Sequence, residues 1–183
     1  KHYAYALCYV DDVLVMHHDA TFCLREIDKY FKMKPGSIGD PDFYLGAKIR
    51  PARLPNGVIA WGMSSSKCVQ AAVRNVKDYV EKTRPGMKLA KRAKGPFPLG
   101  YISELDTSPE LNDEDATFYQ SQIGVLRWCV ELGRVDIVTE VSTLASHVAL
   151  PREGHLDALF HVFAYLDKKH NARLVYDPSY PDI

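Results

Sequence analysis

Tyr5-Ala6-Leu7-Cys8-Tyr9-Val10-Asp11-Asp12-Val13-Leu14-Val15-Met16 is the stretch on which the reading of this chain turns. Two short apolar runs, 5–10 and 13–16, are broken only by Asp11-Asp12. Aromatic and β-branched residues on both sides of a two-residue polar break predict a β-hairpin with the acids at its tip. Tight hairpin turns prefer Gly or Asn, which tolerate positive φ, and neither stands here. The paired carboxylates therefore ask for a chemical reason. Phosphoryl transfer offers one, because it needs cations that bridge phosphates and stabilise the attacking and leaving oxygens. Magnesium takes hard oxygen ligands and keeps part of its water shell, so one or two carboxylates on a rigid hairpin suit it. Taken alone, the tetrapeptide Tyr9 to Asp12 reads first as a pair of solvated turn residues.

Working outward, Thr21 is the expected N-cap of a helix with Leu24, Ile27 and Phe31 at helical spacing, stopped by Lys34-Pro35-Gly36. Residues 43–49 predict a strand, 51–57 a turn, and 58–63 a strand pairing back. Ser64-Ser65-Ser66 offers caps to a helix with Val69, Val73, Val76 and Val80 along one stripe. Residues 82–108 form an irregular connector rich in Pro and Gly, basic in its first half and acidic at its far end. Three helices follow on the steps Tyr119-Ile123-Leu126-Val130, Ile137-Val141-Leu144-Val148 and Leu156-Leu159-Phe163-Leu166. Pro151 is placed in the first turn of the last of these, and 173–176 is a possible closing strand. The expected class is α+β, a small antiparallel sheet followed by a helical bundle. The expected division is 1–63 and 64–183, with an irregular linker over about 82–114.

Composition sets the limits. The 183 residues are 46% hydrophobic, with 23 Lys and Arg against 23 Asp and Glu, which excludes disorder and leaves partners open. A nucleic-acid binder of zero net charge must concentrate its cations locally. Cys8, Cys23, Cys68 and Cys129 are scattered without a Cys-x-x-Cys pair, which points to free thiols in a reducing, intracellular compartment, cytoplasmic or nuclear. No segment reaches membrane-spanning length and the amino terminus is not a signal peptide, so no membrane partner is expected. The chain begins without Met inside a strand-like run, and reads as a piece of something longer.

The stretch Leu7 to Val15 resembles the catalytic hairpin of copia-type retrotransposon reverse transcriptases. The resemblance continues in order through Tyr30-Phe31-Lys32-Met33-Lys34 and Phe43-Tyr44-Leu45-Gly46-Ala47-Lys48-Ile49. It resumes at Tyr119-Gln120-Ser121-Gln122-Ile123-Gly124-Val125-Leu126 and Arg134-Val135-Asp136-Ile137, and ends with His155-Leu156-Asp157-Ala158-Leu159 and Ala164-Tyr165-Leu166. One such block means little, while several in the family's order are specific. The resemblance implies that Asp11 is a catalytic metal-binding Asp and Asp12 its neighbour, both toward magnesium (Mg2+). It implies that Tyr9 and Val10 lie near the primer end and the incoming nucleotide. It also implies that the strand containing Tyr44, Leu45 and Gly46 positions the primer. Lys34 matches, more weakly, a lysine that can protonate leaving pyrophosphate, and otherwise reads as a solvated helix end.

The helical half resembles the thumb and connection. The implied parent activity is RNA-directed DNA polymerase, a nucleotidyltransferase working on an RNA/DNA template–primer duplex with deoxynucleotides (dNTPs). In the family a first catalytic Asp and the fingers would precede Lys1, and a ribonuclease H domain would follow Ile183. The expectation is therefore a chain inactive by itself, since one strand of ligands does not hold two magnesium ions. The family's Arg-Pro-Asp-Ile is here Arg134-Val135-Asp136-Ile137, which removes a rigid helix start but leaves Asp136 able to cap.

Lys88, Lys91, Arg92 and Lys94 on the connector are candidates for nucleic-acid backbone contact, or a solvated loop answered by the acids after it. His17-His18-Asp19 makes a poor metal site, because adjacent strand residues face opposite ways. His155 and His161 are expected at the surface or boundary, and Trp61 and Trp128 in the core. The alternative function is non-enzymatic: a retained retroelement-derived binding or structural subunit, with a protein partner covering the exposed edge of the partial palm sheet.

Overall fold

The computed structural model describes residues 4–91 and 93–177, and among them the fold is α+β. The first sheet is the hairpin of β1 (Tyr5–Tyr9) and β2 (Asp12–Met16), paired from Tyr5 opposite Met16 to Tyr9 opposite Asp12. The loop is thus Val10-Asp11 rather than Asp11-Asp12, and Asp12 is the first residue of β2. Val10 turns the chain with φ 53° and is 94% exposed. A β-branched residue disfavours that conformation, so the tip holds local strain.

α1 (Ala20–Asp28) is capped by Asp19, whose carboxylate accepts from Phe22 N at 3.0 Å, and not by Thr21. A carboxylate both satisfies the free N–H and answers the positive end of the helix, which decides between neighbouring candidates. The helix ends before Phe31, which is exposed.

The expected strand over 43–49 is itself a hairpin, of β3 (Phe43–Tyr44) and β4 (Ala47–Arg53). Leu45 and Gly46 both have positive φ, 52° and 85°, the requirement of a two-residue turn matched to strand twist. Pro51, expected in a turn, lies in β4 opposite Trp61. It stands past the end of β3, so its missing N–H breaks no ladder. The real turn spans Leu54 to Gly57 and leads into β5 (Ile59–Ser64). β6 (Leu174–Tyr176) returns from the far end of the chain to pair with β5, giving the antiparallel order β3-β4-β5-β6.

The helical body comprises α2 (Ser66–Thr83), α3 (Asp113–Glu131), α4 (Val138–Ala145) and α5 (Glu153–Lys168). Val69, Val73, Val76 and Val80 of α2 are buried as their spacing predicts, against Leu156, Leu159, Phe163 and Leu166 of α5 and Tyr119, Ile123 and Leu126 of α3. Tyr119 Oη donates to Leu144 O at 2.7 Å and ties α3 to α4.

Four expectations fail here for identifiable reasons. Pro151 precedes the cap residue Arg152 instead of opening the helix. His155 is buried, because its Nδ1 accepts from Arg152 N at 3.1 Å and its Nε2 bonds Ser103 O at 3.2 Å. Asp136 caps nothing; it forks onto the buried Arg134 through Nε at 2.8 Å and Nη2 at 2.7 Å. Trp61 and Trp128 are 39% and 37% exposed rather than core. Trp61 stands in a cross-strand row between Pro51 and Tyr176. Trp128 falls off the buried stripe of α3, which runs through Tyr119, Ile123, Leu126 and Cys129.

Candidate functional site

The tip of the first hairpin presents Asp11 in the loop and Asp12 at the start of β2. Both side chains are exposed, and among the described residues neither is held by an ion pair or hydrogen bond. The hairpin is anchored behind its tip. Tyr44 of β3 donates from Oη to Leu7 O at 3.4 Å, a long bond at the edge of hydrogen-bonding range. Burial pushes the Tyr44 phenol up, and the charges of Asp12 and Cys8 push it the same way. Tyr9 packs against Trp128 of α3 with ring centroids 6.3 Å apart at 50°. The structure thus brings Tyr9, Asp12 and Tyr44 into one neighbourhood, with Val10 projecting beyond it and Leu45-Gly46 forming the next turn of chain.

Two adjacent carboxylates that face solvent suit one hard, partly hydrated ion. Among the described residues no third His, Cys, Asp or Glu joins them in a metal-sized cluster. Two cations in a bridged pair need more ligands than this tip supplies. His17 and His18 have ring centroids 4.0 Å apart, but His17 Nδ1 engages the Asp19 backbone and the Asp19 carboxylate is spent on the α1 cap.

The remaining candidates lie elsewhere. Lys34 is exposed in the loop after α1. Lys88, Lys91 and Lys94 are exposed on the connector, and Arg92 lies outside the described residues. All four cysteines are free, and burial, with help from Cys68, pushes the Cys129 thiol up to about 12. No helix among the described residues is long and apolar enough to cross a membrane.

Two features escaped the sequence reading. Trp128, placed in the core by its apolar surroundings, is the aromatic neighbour of Tyr9, and its position two residues beyond Leu126, off the buried stripe, was the available signal. The second is a cluster of Lys48 and Arg50 of β4, Lys67 of α2 and Arg173 just ahead of β6, at one end of the larger sheet. Lys48 and Arg50, two apart on one strand, hinted at a shared basic face, while Arg173 reaches it only through the tertiary fold.

Among known proteins, the chain is similar to a Saccharomyces cerevisiae protein described as a transposon Ty5-1 protein, at 31% identity over 167 residues. The match covers 88% of this chain and 48% of that protein, so the chain spans about half the length of the curated relative it matches. No family model matches the chain. No solved structure matches it. The similarity supports a retrotransposon-derived sequence.

Proposed function

We propose that this chain is a portion of a copia-type retrotransposon reverse transcriptase, carrying one strand of its metal ligands and inactive as a polymerase by itself. The observation that carries the reading is the exposed, unpaired Asp11-Asp12 pair at the tip of an apolar hairpin. One carboxylate in the strained Val10-Asp11 turn and one on the first residue of the next strand, both free of ion pairs, are available to a cation in a way that structural acids are not. Magnesium, when bound, would supply charge neutralisation for a phosphate beside the tip. Asp11 holds the cation and Asp12 supports it from the first residue of β2. Tyr9 and Val10 line the approach to the tip, and the turn at Leu45-Gly46, behind Tyr44, positions the primer end of a template–primer duplex. The inactive clause rests on chemistry: a bridged pair of cations asks for more ligands than one hairpin of two carboxylates supplies.

One observation favours a second reading, in which the chain serves as a non-enzymatic subunit. The β1–β2 hairpin stands as its own two-stranded sheet, with Tyr5, Leu7, Tyr9 and Met16 exposed. A lone hairpin is marginal in water and such an apolar ribbon is an adhesive edge. A protein partner covering it would satisfy both.

The test uses manganese as a paramagnetic substitute for magnesium. Selective broadening of the amide signals of Val10, Asp11, Asp12 and Val13 is expected in the natural chain and its loss in Asp11→Asn. Absence of selective broadening, or its persistence in the variant, overturns the metal reading. Primer extension by the purified chain is expected to match the Asp11→Asn background; incorporation above it overturns the inactive clause.

A further inference from the structure

His155 is the third residue of α5, and the hydrogen bonds around its ring fix where its proton sits. Arg152 N–H can only donate, so His155 Nδ1, 3.1 Å away, is the acceptor. Ser103 O can only accept, so Nε2, 3.2 Å away, carries the hydrogen. The neutral ring protonated on Nε2 is the one form that makes both bonds. Reaching back from the third helical position to the N-cap N–H is what Glu or Gln does in a capping box. Here the acceptor is a ring nitrogen, which a proton abolishes.

The site opposes that proton. His155 is buried, with 3% of its surface exposed. The charged and titratable groups facing it are His147 after α4, Asp106 on the connector, and Arg152 at the start of α5 itself. His147 stacks on the ring with centroids 4.1 Å apart at 23°. The charge of Arg152 and the positive end of α5 both disfavour a second cation there. Asp106 favours one, but its carboxylate already accepts from Ser108 N at 2.9 Å, Ser108 Oγ at 2.5 Å and Tyr101 Oη at 3.0 Å. The locus is also short of partners: Ser103 Oγ and His147 Nε2 are buried without a hydrogen bond among the described residues.

What the ring fastens is the far end of the connector. Arg152 is the joint, since its Nη1 donates to Ser108 O at 2.6 Å and its Nη2 lies 3.5 Å from Glu110 Oε1. Glu153 N donates to Pro109 O at 3.0 Å, Gly154 N to Ser108 Oγ at 2.9 Å, and Leu111 N to Pro151 O at 3.0 Å. The start of α5 thus meets its free N–H groups with connector atoms. Ile102 and Leu105, on either side of Ser103, are exposed, so polar bonds do much of the work of holding this segment down. Leu156, Leu159 and Phe163, further along α5, lie in the core.

We propose that His155 is a proton-operated latch, which when neutral fastens residues 103–111 to the start of α5 and when protonated releases them from a helical body that stays folded. Protonation at Nδ1 turns the acceptor into a second donor facing Arg152 N–H, and that bond is lost. The connector then lifts and water solvates the charged ring. The closed state takes the proton less readily than the open one. Closure is therefore complete above about pH 6.5, the ordinary value of a solvated His, and weakens as pH falls below it. With one proton taken up on opening, the opening constant rises about tenfold per pH unit. The latch stands on residues apart from the aspartate tip and holds whether or not that tip binds a metal.

Hydrogen exchange of the full chain, read by NMR at single amides from about pH 8 to about pH 5 and corrected for intrinsic exchange, tests it. Protection at Leu111, Arg152, Glu153 and Gly154 is expected to fall about tenfold per unit below about pH 6.5, while Val76, Leu159 and Phe163 keep theirs. His155→Gln supplies an acceptor and a donor but takes no proton, and is expected to hold that protection constant across the range. Equal loss in the variant, or no loss in the natural chain, overturns the latch. So does a loss that includes Leu159 and Phe163, which is unfolding of the whole body. Should the variant fail to fold, ring-nitrogen chemical shifts of the natural chain decide. They are expected to show hydrogen on Nε2 of His155, titrating together with the exchange of Leu111 and Gly154. Hydrogen on Nδ1 instead, or a ring that titrates with no change at those amides, overturns the proposal as well.

Discussion

Asp136→Asn removes the charge that answers a buried guanidinium, and its cost can be worked from the contacts. Arg134 is 1% exposed, while the Asp136 side chain is 32% exposed. Two hydrogen bonds, Nε to Oδ1 at 2.8 Å and Nη2 to Oδ2 at 2.7 Å, make the pair bidentate, and Tyr165 Oη adds a third at 3.0 Å. Nη1 of Arg134 already lacks a partner, so the guanidinium has no spare compensation. Removing one partner of a buried pair costs about 3–5 kcal/mol, and the half-open carboxylate places this site at the lower end, about 3 kcal/mol. For a chain of this size each kcal/mol moves Tm by about 2–4 °C, so a fall of about 6–12 °C is expected.

The same change carries a pH signature. Burial works against ionisation of Asp136, but the bonds and charge of Arg134, with Tyr165, outweigh it and hold the carboxyl below its usual range. A lowered folded value means the stability is present above the unfolded pKa of about 3.9 and lost as pH falls through the folded one. The gap in Tm between the natural chain and the variant should therefore be full near neutrality and close in acid. Thermal unfolding followed by circular dichroism across pH measures both. A variant within about 2 °C of the natural chain at neutral pH, less than 1 kcal/mol of effect, would refute the assignment of the pair as a structural lock.

Two further changes probe the packing around α5. Burial lowers the His155 pKa more than its bond to Ser103 O raises it, and the His147 ring stacks 4.1 Å away. A neutral His buried this way contributes stability that is full above the unfolded pKa of about 6.5 and declines as pH falls below it; His155→Gln should flatten that decline in a Tm-against-pH series. Gly154→Ala would normally gain about 1 kcal/mol of helix propensity. Here the added Cβ would overlap the Asp106 carboxylate, which accepts from Ser108 N at 2.9 Å and Tyr101 Oη at 3.0 Å. A loss of about 1–3 kcal/mol is expected instead, read as a lowered denaturant midpoint.

The amino-acid order by itself determined the local pieces of this protein. Two apolar runs on either side of a short polar break made the hairpin, and the 3–4 steps of Val69, Val73, Val76 and Val80 made a buried helix face. These are short-range properties, in which period and chemistry lie within one element. What needed tertiary structure was whatever depends on a distant neighbour. Whether Trp128 is core or shelf depends on where Tyr9 arrives, and His155 is buried because Ser103 comes to it. Asp136 pairs rather than caps because Arg134 is swallowed by the bundle, leaving its charge to be met. The basic cleft is the plainest case: Arg173 lies far along the chain from Lys48. Only the pairing of β6 with β5 sets the two side by side over the bare backbone of Gly62.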